Sequence, residues 1–273
     1  MAQRMTASSP HLSSLPRDLS TLSDKSAPST VPVSACLYIV GDVHLDGADS
    51  GFPLFLDQLL EQRPVRLVIL GDLFEYWLET NTMVAMHAPV LQRLRALKSA
   101  GWQLDLVLGN REFAAGRLLE ISSGCHLHWP KLDMTIHQQR LRIVHGDRLC
   151  YDPSYRLFSA IMRSFWWRGW YPTFPGFVQD TVARYLRSRS RSKQRRRYER
   201  AQGSRPAVFI DRRKVQGAAR GCDTLIAGHI HESWRRTIGG VDMLLVGDWP
   251  AGHGHWIEVD AQGVITRQAR RFL

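Results

Sequence analysis

Leu37 to His44 reads LYIVGDVH. A short apolar run stops at a glycine, and a carboxylate and an imidazole follow two positions apart. The same design returns in LVILGDLF (Leu67–Phe74), LDLVLGNR (Leu104–Arg111), LRIVHGD (Leu141–Asp147), TLIAGHIH (Thr224–His231) and MLLVGDW (Met243–Trp249). Continuous apolar runs of this length suit strands buried on both faces of a layered α/β protein. Between them, FPLFLDQLLEQ (Phe52–Gln62) and MVAMHAPVLQRLRALKSAG (Met83–Gly101) place apolar residues at helical spacing, the second closed by Gly101. This order predicts a sheet covered by helices. Ligands of such sheets gather beyond the carboxyl ends of the strands, where every glycine–polar pair falls.

The 273 residues supply one large domain, or one domain carrying an insertion. A net charge of +11 implies an anionic partner, be it nucleic acid, a phosphorylated metabolite or an acidic membrane. The four cysteines are scattered without a CxxC pair and read as free thiols. Residues 1–35 are rich in Ser, Thr and Pro without periodicity, and read as a disordered extension ahead of a domain over 36–273. They lack the apolar core of a secretory signal, and Asp18 and Asp24 sit poorly in a transit peptide.

One region breaks the pattern. Between His145 and His229 lie roughly 80 residues, longer than a plain connection. They include FWWRGWYPTFPGF (Phe165–Phe177) and a helical run that turns strongly basic from Arg184 to Arg200. They read as a helical lid inserted at about 153–205.

Asp42, His44, Asp72, Asn110, His145, His229 and His231 all stand at strand ends. Carboxylate, imidazole and amide together make a ligand set for divalent cations such as Mn²⁺. In an extended segment residues i and i+2 point the same way, so Asp42-x-His44 and His229-x-His231 are each read as a pair on one side. Two pairs and a central carboxylate predict two metal sites bridged by Asp72. Such a pair of cations lowers the pKa of water and clamps phosphate oxygens. Asp147 is a candidate to orient an imidazole, or alternatively to cap a turn.

GDVH, GDLFE, GNR, HGD and GHIH, in that order, resemble the calcineurin-like metallophosphoesterase superfamily from Leu37 to the end of the chain. The resemblance implies a four-layer αββα sandwich. It also implies Asp42, His44 and His231 around one metal, Asn110, His145 and His229 around the other, and Asp72 between them. Many members carry GNH, whose His acts as general acid. Arg111 stays charged at any working pH, so it neutralises an oxyanion but cannot donate a proton. That suits a leaving group that is itself a phosphate, and points to a diphosphatase.

GNR followed by an acidic residue and Phe resembles the UDP-2,3-diacylglucosamine hydrolase family of lipid A biosynthesis. GDLFEYW (Gly71–Trp77), HGDRLCYD (His145–Asp152) and VGDW (Val246–Trp249) resemble it too. This implies two Mn²⁺ ions and a lipid-linked UDP-sugar, attacked by water at the α-phosphorus to give UMP and 2,3-diacylglucosamine 1-phosphate. It also implies a peripheral place on the cytoplasmic face of the inner membrane. Catalytic roles fall on Asp72 and Arg111, and substrate contacts on Asn110, Arg111, Asp152, Ser190, Arg197 and His229. The chain departs from the family at Glu112, usually Asp, at Glu232, where a basic residue is common, and at Pro153, where a second Asp is usual. The lid aromatics either line or cover an acyl cleft, rest in a membrane interface beside the nearby arginines, or pack on each other. The basic run is either a solvated face, a contact to anionic lipid or a contact to substrate phosphate. The alternative is a dinuclear-metal diphosphatase for another nucleotide-diphosphate or phospho-compound; a nuclease-type nucleic-acid binder is less favoured, because no nucleic-acid-binding module is recognisable.

Overall fold

A computed structural model describes residues 35–45, 51–112, 114–150, 181 and 210–272. The expected lid, with its aromatic cluster and basic run, and the expected N-terminal extension lie outside the described residues. In chain order the strands are β1 (Ala35–Val40), β2 (Arg66–Ile69), β3 (Gln103–Val107), β4 (His126–His128), β5 (Lys131–Ile136) and β6 (Gln139–Val144). They continue with β7 (Thr224–Ala227), β8 (Ser233–Ile238), β9 (Val241–Val246), β10 (His253–Asp260) and β11 (Ile265–Arg271). All six runs read as strands from the sequence are strands.

Two sheets result, in the orders β11-β10-β1-β2-β3-β4 and β5-β6-β7-β9-β8. β1 to β4 run parallel to one another, as do β6, β7 and β9. The antiparallel strands are added at the margins, β10 and β11 on one sheet and β5 and β8 on the other.

Strand alternation sorts the side chains into layers. Val40, Leu67, Ile69, Leu104 and Leu106 pack with Phe55 and Leu56 of α1 (Phe52–Leu60), Met83 of α2 (Asn81–Met86), Leu91 and Leu94 of α3 (Ala88–Ser99) and Leu119 of α4 (Arg117–Ser123). Their neighbours Leu37, Ile39, Val68, Leu70 and Val107 turn the other way and meet Leu141, Ile143, Ile226, Leu244 and Val246 of the second sheet. On the far side of that sheet, Leu225, Ala227, Met243 and Leu245 cover Val215 and Ala219, in and just after α5 (Arg212–Ala218). Helix, sheet, sheet and helix are thus stacked as the four-layer sandwich expected. Each fully buried aliphatic side chain contributes about 1.5–3 kcal/mol.

One helical stretch divides. Met83 to Gly101 is expected as one helix, but the chain breaks at His87 between α2 and α3. Pro89 has no N–H to give the carbonyl of Ala85 and would press against it, so a new helix starts there. The four cysteines are free, as expected. No helix among the described residues is long and apolar enough to cross a membrane.

The loops after β1, β2 and β3 are laced together. Asp42 N donates to Gly71 O (3.2 Å), His44 N to Asp72 O (2.9 Å) and Leu45 N to Leu73 O (2.9 Å). Gly71, at φ +76°, lies so close to Gly109 that an added Cβ would overlap the backbone of Gly109. Gly71→Ala is therefore expected to cost at least about 1–2 kcal/mol from the left-handed backbone alone, read as a lower urea midpoint. A midpoint equal to that of the wild type would show that the two loops do not need this approach.

Candidate metal centre

The structure brings all seven strand-end side chains together. Asp42, His44 and His231 offer ligand atoms within 4.8 Å of one another, and so do Asp72, His145 and His229. His44 Nε2 lies 3.1 Å from His231 Nε2. Asn110 Oδ1 lies 3.0 Å from His145 Nε2, which adds the amide to the second group. Asp72 stands between them, with Oδ1 3.5 Å from His145 Nε2 and Oδ2 3.9 Å from His44 Nε2.

The backbone reaches this arrangement differently from the sequence reading. Asp42 and His44 do not lie on an extended segment, nor do His229 and His231; all four follow the strand ends. Their φ angles are +51°, +54°, +70° and +62°, and that of Asp72 is +48°. Non-glycine residues in this region cost on the order of 1–3 kcal/mol each and persist where the surroundings over-determine them. Here the surroundings are hydrogen bonds between loops: His229 N donates to Asp42 Oδ2 (2.5 Å), Arg111 N to Asp72 Oδ1 (3.0 Å) and Gly228 N to His145 O (2.9 Å).

Several carboxylates that the sequence reading left without a role hold these loops. Glu112 is fully buried and accepts from Asp72 N (2.9 Å), Gly109 N (3.1 Å) and Phe74 N (3.2 Å), joining the loops that carry Asp72 and Asn110. Glu79 accepts from Gly116 N (2.5 Å) and Leu118 N (2.8 Å) at the start of α4. Asp248 Oδ2 lies 3.3 Å from His231 Nδ1, and Glu75 Oε2 lies 3.6 Å from His44 Nδ1. GDLFE and VGDW were visible as motifs, but nothing local in them names these distant partners. Asp147 opens a 3-10 turn, and the group that orients the His145 ring is the carbonyl of Leu70, which accepts from Nδ1 at 2.7 Å.

The electrostatics suit cation binding. Burial, reinforced by neighbouring positive charge, drives the His44 imidazole down to about 3 and that of His229 to about 4. Both are therefore neutral and offer a lone pair. Burial alone would raise the Asp72 carboxyl, but His145, His44 and Arg111 outweigh it and hold Asp72 below the usual carboxylate range. Burial likewise opposes charge on His145, while Asp72 and Asp42 prevail and raise it to about 9. A divalent cation answers the same carboxylates that favour that proton. Burial pushes Asp42 up to about 6 and Glu112 up to about 7. Asp42 Oδ1 is buried and has no hydrogen-bond partner among the described residues, a costly state that a cation beside His44 and His231 relieves. The donor set fits a pair of divalent metals.

Arg111 stands at the edge of the centre, its side chain 16% exposed. Nε lies 3.6 Å from Asp72 Oδ2, and NH1 lies 3.3 Å from Glu75 Oε1. The other expected substrate contacts, Asp152, Ser190 and Arg197, lie outside the described residues.

No protein-family model matches the chain. A solved archaeal phosphodiesterase covers 86% of it at 12% identity with a TM-score of 0.41, too distant to carry a functional argument. Curated relatives are nearer. The UDP-2,3-diacylglucosamine hydrolase of Haemophilus influenzae is 26% identical over 230 residues, 83% of this chain and 95% of its own. That of Chromohalobacter salexigens is 29% identical over 234 residues, 81% of this chain and 92% of its own. That of Chromobacterium violaceum is 30% identical over 234 residues, 84% of this chain and 96% of its own. Identity at that level, over nearly the whole length of the relative, places the chain in the UDP-2,3-diacylglucosamine hydrolase family.

Proposed function

We propose that this protein hydrolyses the pyrophosphate bond of UDP-2,3-diacylglucosamine, releasing UMP and 2,3-diacylglucosamine 1-phosphate. Family membership supports the substrate. The observation that carries the chemistry is the placement of Asp72, whose two oxygens face different ligand groups while Arg111 lies beside them.

Asp42, His44, His231 and Asp72 would hold one cation, and Asp72, Asn110, His145 and His229 the other, with Mn²⁺ the metal we assign. Such cations supply a lowered pKa for water and a sink for phosphate charge. The protein's part is to orient and to neutralise. Asp72 remains ionised and is fixed by the Arg111 amide. Water attacks the α-phosphorus, and the bond from that phosphorus to the bridging oxygen breaks. The bridging oxygen leaves on the sugar phosphate, which is stable as an anion and needs no proton. Arg111 therefore acts by charge where a general acid would otherwise stand.

Asn110, Arg111 and His229 would meet the polar part of the substrate, while the other contacts assigned from the sequence, Asp152, Ser190 and Arg197, lie outside the described residues. A net charge of +11 supports recruitment to anionic lipid at the cytoplasmic face of the inner membrane.

Asp72→Ala is expected to lower kcat by more than about a hundredfold, since even partners behind a ligand are worth 10–100-fold. Near-normal turnover would refute the bridging role. Arg111→His should slow UMP release by about a hundredfold while metal content stays at the wild-type level, and an unchanged rate would remove Arg111 from the chemistry. With Mn²⁺ present, UMP should appear from UDP-2,3-diacylglucosamine and scarcely from UDP-N-acetylglucosamine. Equal rates would mean that the acyl chains are not recognised.

A further inference from the structure

Glu75 belongs to the GDLFE segment, yet neither the metal groups nor the reaction above gives it a task. Its side chain is 13% exposed, and among the described residues its two oxygens face two partners. Oε1 lies 3.3 Å from Arg111 NH1, and Oε2 lies 3.6 Å from His44 Nδ1, on the ring edge away from His231. The backbone carbonyl of Glu75 also accepts from Arg111 NH1, at 3.4 Å. The loop that carries Glu75 is fixed in turn, because Glu75 N donates to Leu45 O (2.8 Å) and Trp77 N to Arg111 O (3.0 Å).

A long arginine side chain at the mouth of a site has many rotamers, and ordering it costs up to about 2 kcal/mol. A second carboxylate beside a dinuclear centre, left alone, would repel an arriving phosphate. Pairing the two removes both difficulties: Glu75 fixes the guanidinium, and the guanidinium offsets its charge. The same carboxylate lies beside His44 Nδ1, at a distance too long for a hydrogen bond, on the ring edge that leaves Nε2 turned toward the metal group.

We propose that Glu75 is a positioning residue that sets Arg111 and His44 together, coupling the positive charge that replaces a general acid to the first metal group. The proposal rests on the pyrophosphatase reading for its kinetic part, whereas its metal part does not depend on the substrate.

The test combines Glu75→Gln, Glu75→Asp, Arg111→His and the Glu75→Gln/Arg111→His pair. Metal-free proteins are titrated with Mn²⁺, the free ion being followed by electron paramagnetic resonance. Glu75→Gln should weaken the tighter Mn²⁺ step by about 10-fold or more, and Glu75→Asp, which keeps the charge, should recover part of that loss. In UMP release, Glu75→Gln should lower kcat about tenfold in the wild-type background but less than about twofold once Arg111 is His, the mark of a shared role. Unchanged Mn²⁺ affinity, or kinetic losses that simply multiply, would overturn the proposal. Should Glu75→Gln fail to fold, Glu75→Asp alone decides: its kinetic loss must shrink when Arg111 is His. If the wild type releases no UMP, the pyrophosphatase reading fails, and the titration still judges the effect of Glu75 on His44.

Discussion

The centre depends on where one carboxylate is held. Asp72 is gripped from both neighbouring loops: its amide donates to Glu112, its carbonyl accepts from His44 and its Oδ1 accepts from Arg111. Just before it, Gly71 accepts from Asp42 and packs onto Gly109. None of these contacts comes from its own strand. The place of Asp72 between the two ligand groups is thus a product of three parallel strands ending side by side, with Glu112 tying two of the loops together. A cluster of buried carboxylates is costly unless positive charge answers it. Arg111 is one answer here, and cations held by the ligand groups would take the place of the proton on His145 as the other.

The same burial explains how much could be read beforehand. The six strands visible in the sequence are those in the middle of the two sheets, where both faces are covered and the residues run apolar without interruption. β4, β5, β8, β10 and β11 were not legible, because they lie toward the sheet margins and keep polar or charged faces, as in SWRRTI and ITRQARR. The break at His87 was written in Pro89 but hidden by the apolar spacing that runs through it.

For the site, the types and order of the seven candidate ligands were legible, because each stands at a glycine-marked strand end or beside it. Their backbone was not. Alternation along an extended chain gives the right pairing for the wrong reason, since Asp42, His44, His229 and His231 adopt left-handed conformations that only contacts between loops can enforce. The supporting groups escaped for the same reason. Glu112 acts on amides of another loop, Asp248 on a histidine from the loop after β7, and the partner of His145 Nδ1 is a carbonyl with no sequence signature. The guanidinium at position 111 stood out in the sequence, but its tie to Glu75 joins two loops and has no local sequence signature.

Anomalous diffraction from crystals grown with Mn²⁺ bears most directly on the shared carboxylate. Two peaks are expected, one beside Asp42, His44 and His231 and one beside Asn110, His145 and His229, with one oxygen of Asp72 reaching each. A single peak, or a pair of which Asp72 touches only one, would contradict the dinuclear centre.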